Sequence, residues 1–249
     1  MIRGIYSAAM GMLLDVAKLD TTANNLANVE TIGYKRDRAV FRAYDDRAIY
    51  ALPSRDKPIG NLTYSAVLDD VHLDTSRGVF QQTSNPLDLA IDSDGYFGLI
   101  GQDAVYYTRA GNFKLDSEGY LVNADGLRLM DQDGQPIRFS DGFSIDGDGY
   151  VRDRFNNVVT RIALFTFEDP SSLRKVGYTL FEPTEESGEP VAAQDFRILS
   201  GYVELSNVNA LMEMTRLIEA QRHFEISQKV VVAEDEMLAK LMNQVGTLR

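Results

Sequence analysis

Residues 106–139, "YYTRAGNFKLDSEGYLVNADGLRLMDQDGQPIRF", decide how the middle of the chain is read. Short apolar runs alternate with Asp/Asn-Gly signals, and the glycines at 119, 126, 134, 142 and 149 recur every seven or eight residues. No helical period runs through this stretch. The spacing fits short antiparallel strands joined by tight turns, with Asp and Gly supplying the unusual backbone angles. The pattern extends outward through "DSDGYFGLI" and "DGDGYV" to "VVTRIALFTFEDP" (residues 158–170), which reads as one buried strand closed by Pro170. An all-β domain over residues 71–203 is expected.

On either side the period changes. Ile2, Ile5, Ala9, Met12, Val16, Leu19, Ala23 and Leu26 follow spacings of three and four, the apolar stripe of a coiled-coil-like helix of about 25 residues, and Gly33 is a suitable stop. Near the other end Ala210, Leu217, Phe224, Val231, Leu238 and Val245 repeat every seven residues. A mixed second stripe runs through Met214, Gln221, Gln228, Asp235 and Met242. This predicts a helix of about 40 residues, far longer than a small domain needs, with Ser206 or Asn207 as its cap. The expected fold class is α+β, with long terminal helices pairing as a coiled-coil-like layer around an inserted antiparallel β domain. The expected domains are a helical assembly domain (1–32 and 204–249), a connector (33–70) and the β domain (71–203).

Asn24, Asn25 and Asn28 sit inside the first helical pattern, where a solvent-facing helix favours Glu or Lys. Amides donate and accept without charge, so these three, with Gln221 and Gln228, suit seams between identical copies, where like charges would repel. A helix tip that caps itself gives the same composition. The connector, "YKRDRAVFRAYDDRAIY" followed by "LPSRDKPIGNL", concentrates Lys35, Arg36, Arg38 and Arg42 in an otherwise acidic chain. A solvated link and a surface docking on an acidic β domain of a neighbouring copy both fit it.

Composition excludes several functions. The net charge of −12 argues against nucleic acid and anionic membrane surfaces. Without cysteine there is no thiol catalysis, disulfide or thiolate metal site. His72 and His223 stand alone, without paired metal-ligand spacing, and no run is long enough to span a membrane. The apolar stretch after Arg3 ends at Asp15 without a small-residue cleavage site, so no cleaved signal peptide is expected. Setting Gly95, Gly134 or Gly149 at the sixth position of a calcium loop leaves Ala90, Leu129 or Ser144 first and Gly101, Ser140 or Phe155 twelfth, so all three fail as EF-hands. Acid pairs such as Asp92 and Asp146 are not singled out by spacing, and no hydrolase, phosphate-loop or dinucleotide motif occurs. No cofactor, metal or enzymatic activity is expected.

"NNLANVETIGYKR" (24–36) and "GYVELSNVNALMEMTRLIEAQRHFEISQKV" (201–230) resemble the paired terminal signatures of bacterial flagellar basal-body rod and hook proteins. "PLDLAIDSDGYFGLI" and "FEDPSSLRKVGYTLFEPTEESGEP" are similar to the β domain of the longer rod proteins, so the resemblance covers nearly the whole chain. The length and short connector lean toward the proximal rod protein, while "GYVELSNVN" and "EAQRHFEISQKV" fit the distal one nearly as well. The resemblance implies an axial component that transmits torque from motor to hook. It also implies export through the flagellar type III apparatus without cleavage, to the rod in the periplasm or cell envelope. Partners would be other copies of itself, other rod and hook proteins, and the export apparatus, with no nucleic acid and no membrane insertion. The residues expected at the assembly interface are Ile5, Met12, Leu19, Asn24, Asn25, Leu26, Asn28, Ser206, Asn207, Val208, Leu217, Gln221, Arg222, Phe224, Val231 and Leu238. A secreted β-domain binding module or adhesin with oligomerising helices is the alternative.

Overall fold

The structure, a computed structural model, describes residues 2–50, 58–101 and 104–246. Along the chain run helix α1 (Ile2–Ala27) and strands β1 (Asp37–Tyr50), β2 (Pro58–Leu73), β3 (Phe80–Gln82), β4 (Leu89–Ile91), β5 (Tyr96–Ile100) and β6 (Val105–Thr108). Then come β7 (Lys114–Leu115), β8 (Leu121–Val122), β9 (Arg128–Leu129), β10 (Ser144–Ile145), β11 (Tyr150–Arg152), β12 (Val158–Arg161) and β13 (Leu164–Thr166). The last elements are β14 (Arg174–Val176), β15 (Leu180–Glu182), β16 (Val191–Ala192), β17 (Ile198–Ser200), β18 (Tyr202–Glu204) and helix α2 (Ala210–Gly246). Helices at both ends around an antiparallel β insert give the expected α+β class. No described helix is long and apolar enough to cross a membrane.

The chain forms two compact units. A helical unit comprises Met1–Leu26, Asp37–Val71 and Asn209–Arg249, and a β unit comprises Ala27–Arg36 and His72–Val208. These bounds differ from those drawn on sequence, because the segments leaving α1 and entering α2 hydrogen-bond into the β unit. The expected connector contains two paired strands, β1 with β2, and residues 51–57 between them lie outside the described residues.

In the helical unit α1 and α2 pair antiparallel. A Cβ on Gly4 would overlap the Glu234 carboxylate, one on Gly11 would sit 3.7 Å from Ser227 Oγ, and Lys18 and Thr22 share a cleft with Ala220 and His223. Each step of seven along α1 is thus matched by a step of seven backward along α2, the 3.5-residue period of a coiled-coil seam. Small residues where the helices meet permit a close approach. The column Ala210, Leu217, Phe224, Val231 and Leu238 is half-buried, and its companion is Glu213, Ala220, Ser227 and Glu234. The Met214–Gln221–Gln228–Asp235–Met242 stripe is exposed instead. On α1 the most buried positions are Asp15, Thr22 and Asn25, whereas Val16 is 40% exposed. Ile2 and Val245 lie outside the residues whose side chains are described. Asn209, rather than Ser206 or Asn207, caps α2: its Oδ1 accepts from Met212 N–H at 3.1 Å.

The β unit is built on one repeated local device. The side-chain oxygen of Asp116, Asn123, Asp131, Asp146 or Asp153 accepts the backbone N–H groups two and four residues later, at 2.8–3.1 Å. The residue three positions on is left-handed each time, Gly119, Gly126, Gly134, Gly149 or Asn156. The carboxylates are therefore committed to their own turns, and no group of three or more His, Asp or Glu among the described residues is placed to hold a metal ion. These turns stack short strands into a nine-stranded antiparallel sheet, β14-β15-β6-β5-β9-β8-β7, with β13 joining β5 and carrying β16. Leu89, Phe97, Leu99, Phe113, Leu121, Leu129, Ile162 and Leu164 fill its core. The expected single strand over 158–170 splits. Its exposed half, β12, pairs with β11, and its buried half, β13, pairs with β5.

Candidate functional site: the clasp at the helix roots

The segments that follow α1 and precede α2 meet inside the β unit. α1 ends six residues before Gly33, so this glycine is not the helix stop. Its φ is +70°, its N–H donates to Glu204 O at 2.8 Å, and a Cβ there would overlap the Ala110 backbone. Only glycine satisfies both conditions. Two residues on, Lys35 is 1% exposed, with Nζ 2.6 Å from Glu204 Oε1 and 2.7 Å from Ser76 O. The same Glu204 oxygen accepts from Gly78 N–H at 2.9 Å, and Arg109 Nη1 lies 3.5 Å from the other. Loss of water around the Lys35 ammonium pushes its pKa down, and the Glu204 charge opposes that shift. Arg109 stands 5.1 Å over the Tyr96 ring, whose phenol burial pushes up to about 12.

Asn207 closes the other side. Its Oδ1 accepts from Arg36 N–H at 2.8 Å, and its Nδ2 donates to Asp74 O, Ser76 O and Ser76 Oγ at 2.8–3.1 Å. Arg36 Nη2 reaches Asp74 Oδ2 at 2.7 Å, and Lys175 Nζ caps Lys35 O at 2.7 Å above the Tyr34 ring. Burial alone would raise the Asp74 pKa, but Ser76 and Arg36 outweigh it and hold the carboxyl below its ordinary value. Lys35 and Arg36 are thus engaged within the chain, as the connector's sequence did not reveal.

The amide-rich stretch has a similar answer. Asn25 Nδ2 donates to Asp37 O at 2.9 Å while its Oδ1 accepts from Asp37 N–H at 2.8 Å, fastening the start of the ribbon to α1. Among the side chains, a carboxamide makes both bonds without charge. Asn28 is buried and accepts from Thr31 Oγ1 at 3.2 Å, whereas Asn24 is exposed. Ser206 Oγ accepts from Val208 N–H, and both residues are buried. Ile5, Met12, Leu19, Leu26, Leu217, Phe224, Val231 and Leu238 are half-buried along the helices, while Gln221 and Arg222 are exposed. The anticipated interface residues therefore fall into two sets, one in the clasp and ribbon joint, the other along the helices. Glu204 and Arg109 were missed, since a lone acid and a lone base 95 positions apart carry no spacing signal.

Two helices flank a β insert, and the chain at both helix roots is drawn into one clasp; the family comparisons say what class of protein this architecture belongs to. Residues 5–35 match the family model "Flagella basal body rod protein", 90–153 the "Flagellar hook protein FlgE/F/G D1 domain", and 199–244 the "Flagellar basal body rod FlgEFG protein C-terminal". The chain is 35% identical to the flagellar basal-body rod protein FlgG of Bacillus subtilis, across 98% of this chain and 99% of that one. It is 31% identical to FlgG of Borreliella burgdorferi over 96% and 97% of the two chains, and 30% identical to FlgF of Mesorhizobium japonicum over 95% and 97%. The chain belongs to the flagellar basal-body rod protein family. It is a structural component of the rod in the flagellar basal body, not an enzyme, and nothing in these comparisons favours a secreted binding module.

Proposed function

We propose that the chain polymerises through its terminal helices into the flagellar rod and transmits torque from motor to hook. The observation that supports this most strongly is the apolar surface left on the helices. On α1, Tyr6 is 70% and Leu13 63% exposed, and on α2 Ile218, Ile226, Val230, Met237 and Leu241 are all exposed. Ile226, Val230 and Met237 recur at spacings of four and seven, outside the two columns of the seam with α1. Contiguous apolar surface of this kind marks a site to be covered by another protein. The partners are further copies of this chain and the other rod and hook proteins, and the flagellar export apparatus delivers it without signal cleavage to the periplasmic part of the basal body. Deleting the gene and imaging basal bodies by electron microscopy tests the reading. Truncated rods and non-motile cells are expected, and complete rods would refute it.

A further inference from the structure

We propose that residues 33–36, 74–82 and 201–208 form a latch within the β unit, which opens and closes as one body and closes last in folding. Among the described residues strand β3 pairs with β18 alone, so these segments have their own two-stranded sheet, apart from the nine-stranded one. Leu205 N–H donates to Val79 O and Gly33 N–H to Glu204 O, so all three pieces of chain share one hydrogen-bond set.

The charges make closure conditional. Lys35 and Arg109 are two buried cations, and Glu204 is the carboxylate that touches both. Before β18 docks, closing residues 33–36 over Arg109 would bury two like charges without the carboxylate that contacts both, which is strongly unfavourable. Glu204 lies in the last strand of the β unit, so the latch waits for that strand. Once shut, it stays weaker than the apolar core: Glu204 Oε2 and Arg109 Nε lack a hydrogen-bond partner among the described residues, and desolvation offsets much of the ionic attraction. The core around Phe97, Leu99, Phe113 and Leu129 is held by packed apolar side chains instead. The latch therefore opens locally while that core stays intact. Opening releases the chain leaving α1 and the chain entering α2 together, because both are held by Glu204 and Asn207.

Native-state hydrogen exchange on the full chain reads this directly. The amides of Gly33, Gly78 and Leu205 are expected to exchange together, about 10-fold or more faster than those of β5 and β6. Glu204→Gln should accelerate the first set and leave the second unchanged. Glu204→Asp, which keeps the charge, should fall between. In denaturant-jump kinetics Glu204→Gln should raise the unfolding rate and leave refolding unaltered, whereas Leu99→Ala in the central sheet slows refolding. Exchange of the latch amides only together with the core, or slower refolding of Glu204→Gln in proportion to its loss of stability, would overturn the proposal.

Discussion

At the scale of single residues, Asn25 and Asn207 do their work by donating and accepting at once. Asn25 occupies both backbone groups of Asp37. Replacement by alanine removes two bonds and leaves a half-buried N–H and C=O without them, a loss of roughly 1–3 kcal/mol. Asn25→Asp is expected to be worse, since a carboxylate cannot donate and would face the Asp37 carbonyl. Thermal melts of the three proteins check the order, wild type above alanine above aspartate. An aspartate variant as stable as wild type would show that the bidentate pairing is not what selects the amide. Asn207 uses its whole carboxamide in the clasp, so Asn207→Ala should likewise lower the melting temperature of the full chain.

At the scale of elements, α2 carries exposed apolar side chains as well as the half-buried column of its seam with α1. Phe224 sits in the seven-residue column, between Leu217 and Val231, half-buried in the isolated chain. A carboxylate there is desolvated in the seam without a partner, at a cost of about 3–5 kcal/mol. Phe224→Asp should therefore abolish motility and incorporation into the rod, whereas the exposed Glu219→Ala should swim normally. The β unit of Phe224→Asp should remain resistant to protease, since its core contains no residue of α2. Normal swimming by the Phe224 variant would show that the column is not an assembly seam. The cap is a smaller matter: Asn209→Ala should cost about 1 kcal/mol of stability.

At the scale of the whole molecule, stability should depend on pH through carboxylates fixed by hydrogen bonds. Asp116 and Asp153 are held below the ordinary carboxyl value of 3.8 chiefly by backbone N–H groups of Tyr120 and Asn157, and Asp169 chiefly by the Ser171 hydroxyl. With Asp74, all four have folded pKa values below the unfolded one. Their stabilisation is complete above the unfolded value and is lost as pH falls through the folded values. Urea melts should thus give a plateau above about pH 5 and declining stability below about pH 4. Millimolar calcium should leave the melting temperature unchanged, because the turn aspartates already accept N–H groups. A rise with calcium would show a site that these turns conceal. Fragment boundaries provide a separate check. Residues 27–208 should fold cooperatively, while 71–200, which lacks Tyr34, Lys35 and β18 and leaves Arg109 without Glu204, should melt lower by several degrees or more.

Local chemistry determined what the sequence alone conveyed. The seven-residue column on α2, the three-and-four spacing on α1 and the Asp-x-x-Gly turns every seven or eight residues each depend on neighbours close in the chain. Their periods therefore specify helix, helix and short strands before any tertiary contact forms. The paired end signatures carried the family for the same reason, as contiguous strings. Tertiary structure decided the rest. Asp37–Tyr50 and Pro58–Leu73 became a ribbon because each strand supplies the other's hydrogen bonds, which neither segment announces by itself. The stretch from Val158 to Pro170 divided between two sheets because its halves meet β11 and β5, strands whose positions no local pattern encodes. The second face of the α2 seam includes Ser227 and Glu234 because Gly11 and Gly4 of α1 admit them, a matter of fit between distant segments. Above all, the pairing of Lys35 and Arg109 with Glu204 arises only when three separate stretches of chain converge. A buried charge is stabilised by its partner's distance in space, and the order of residues does not record that distance.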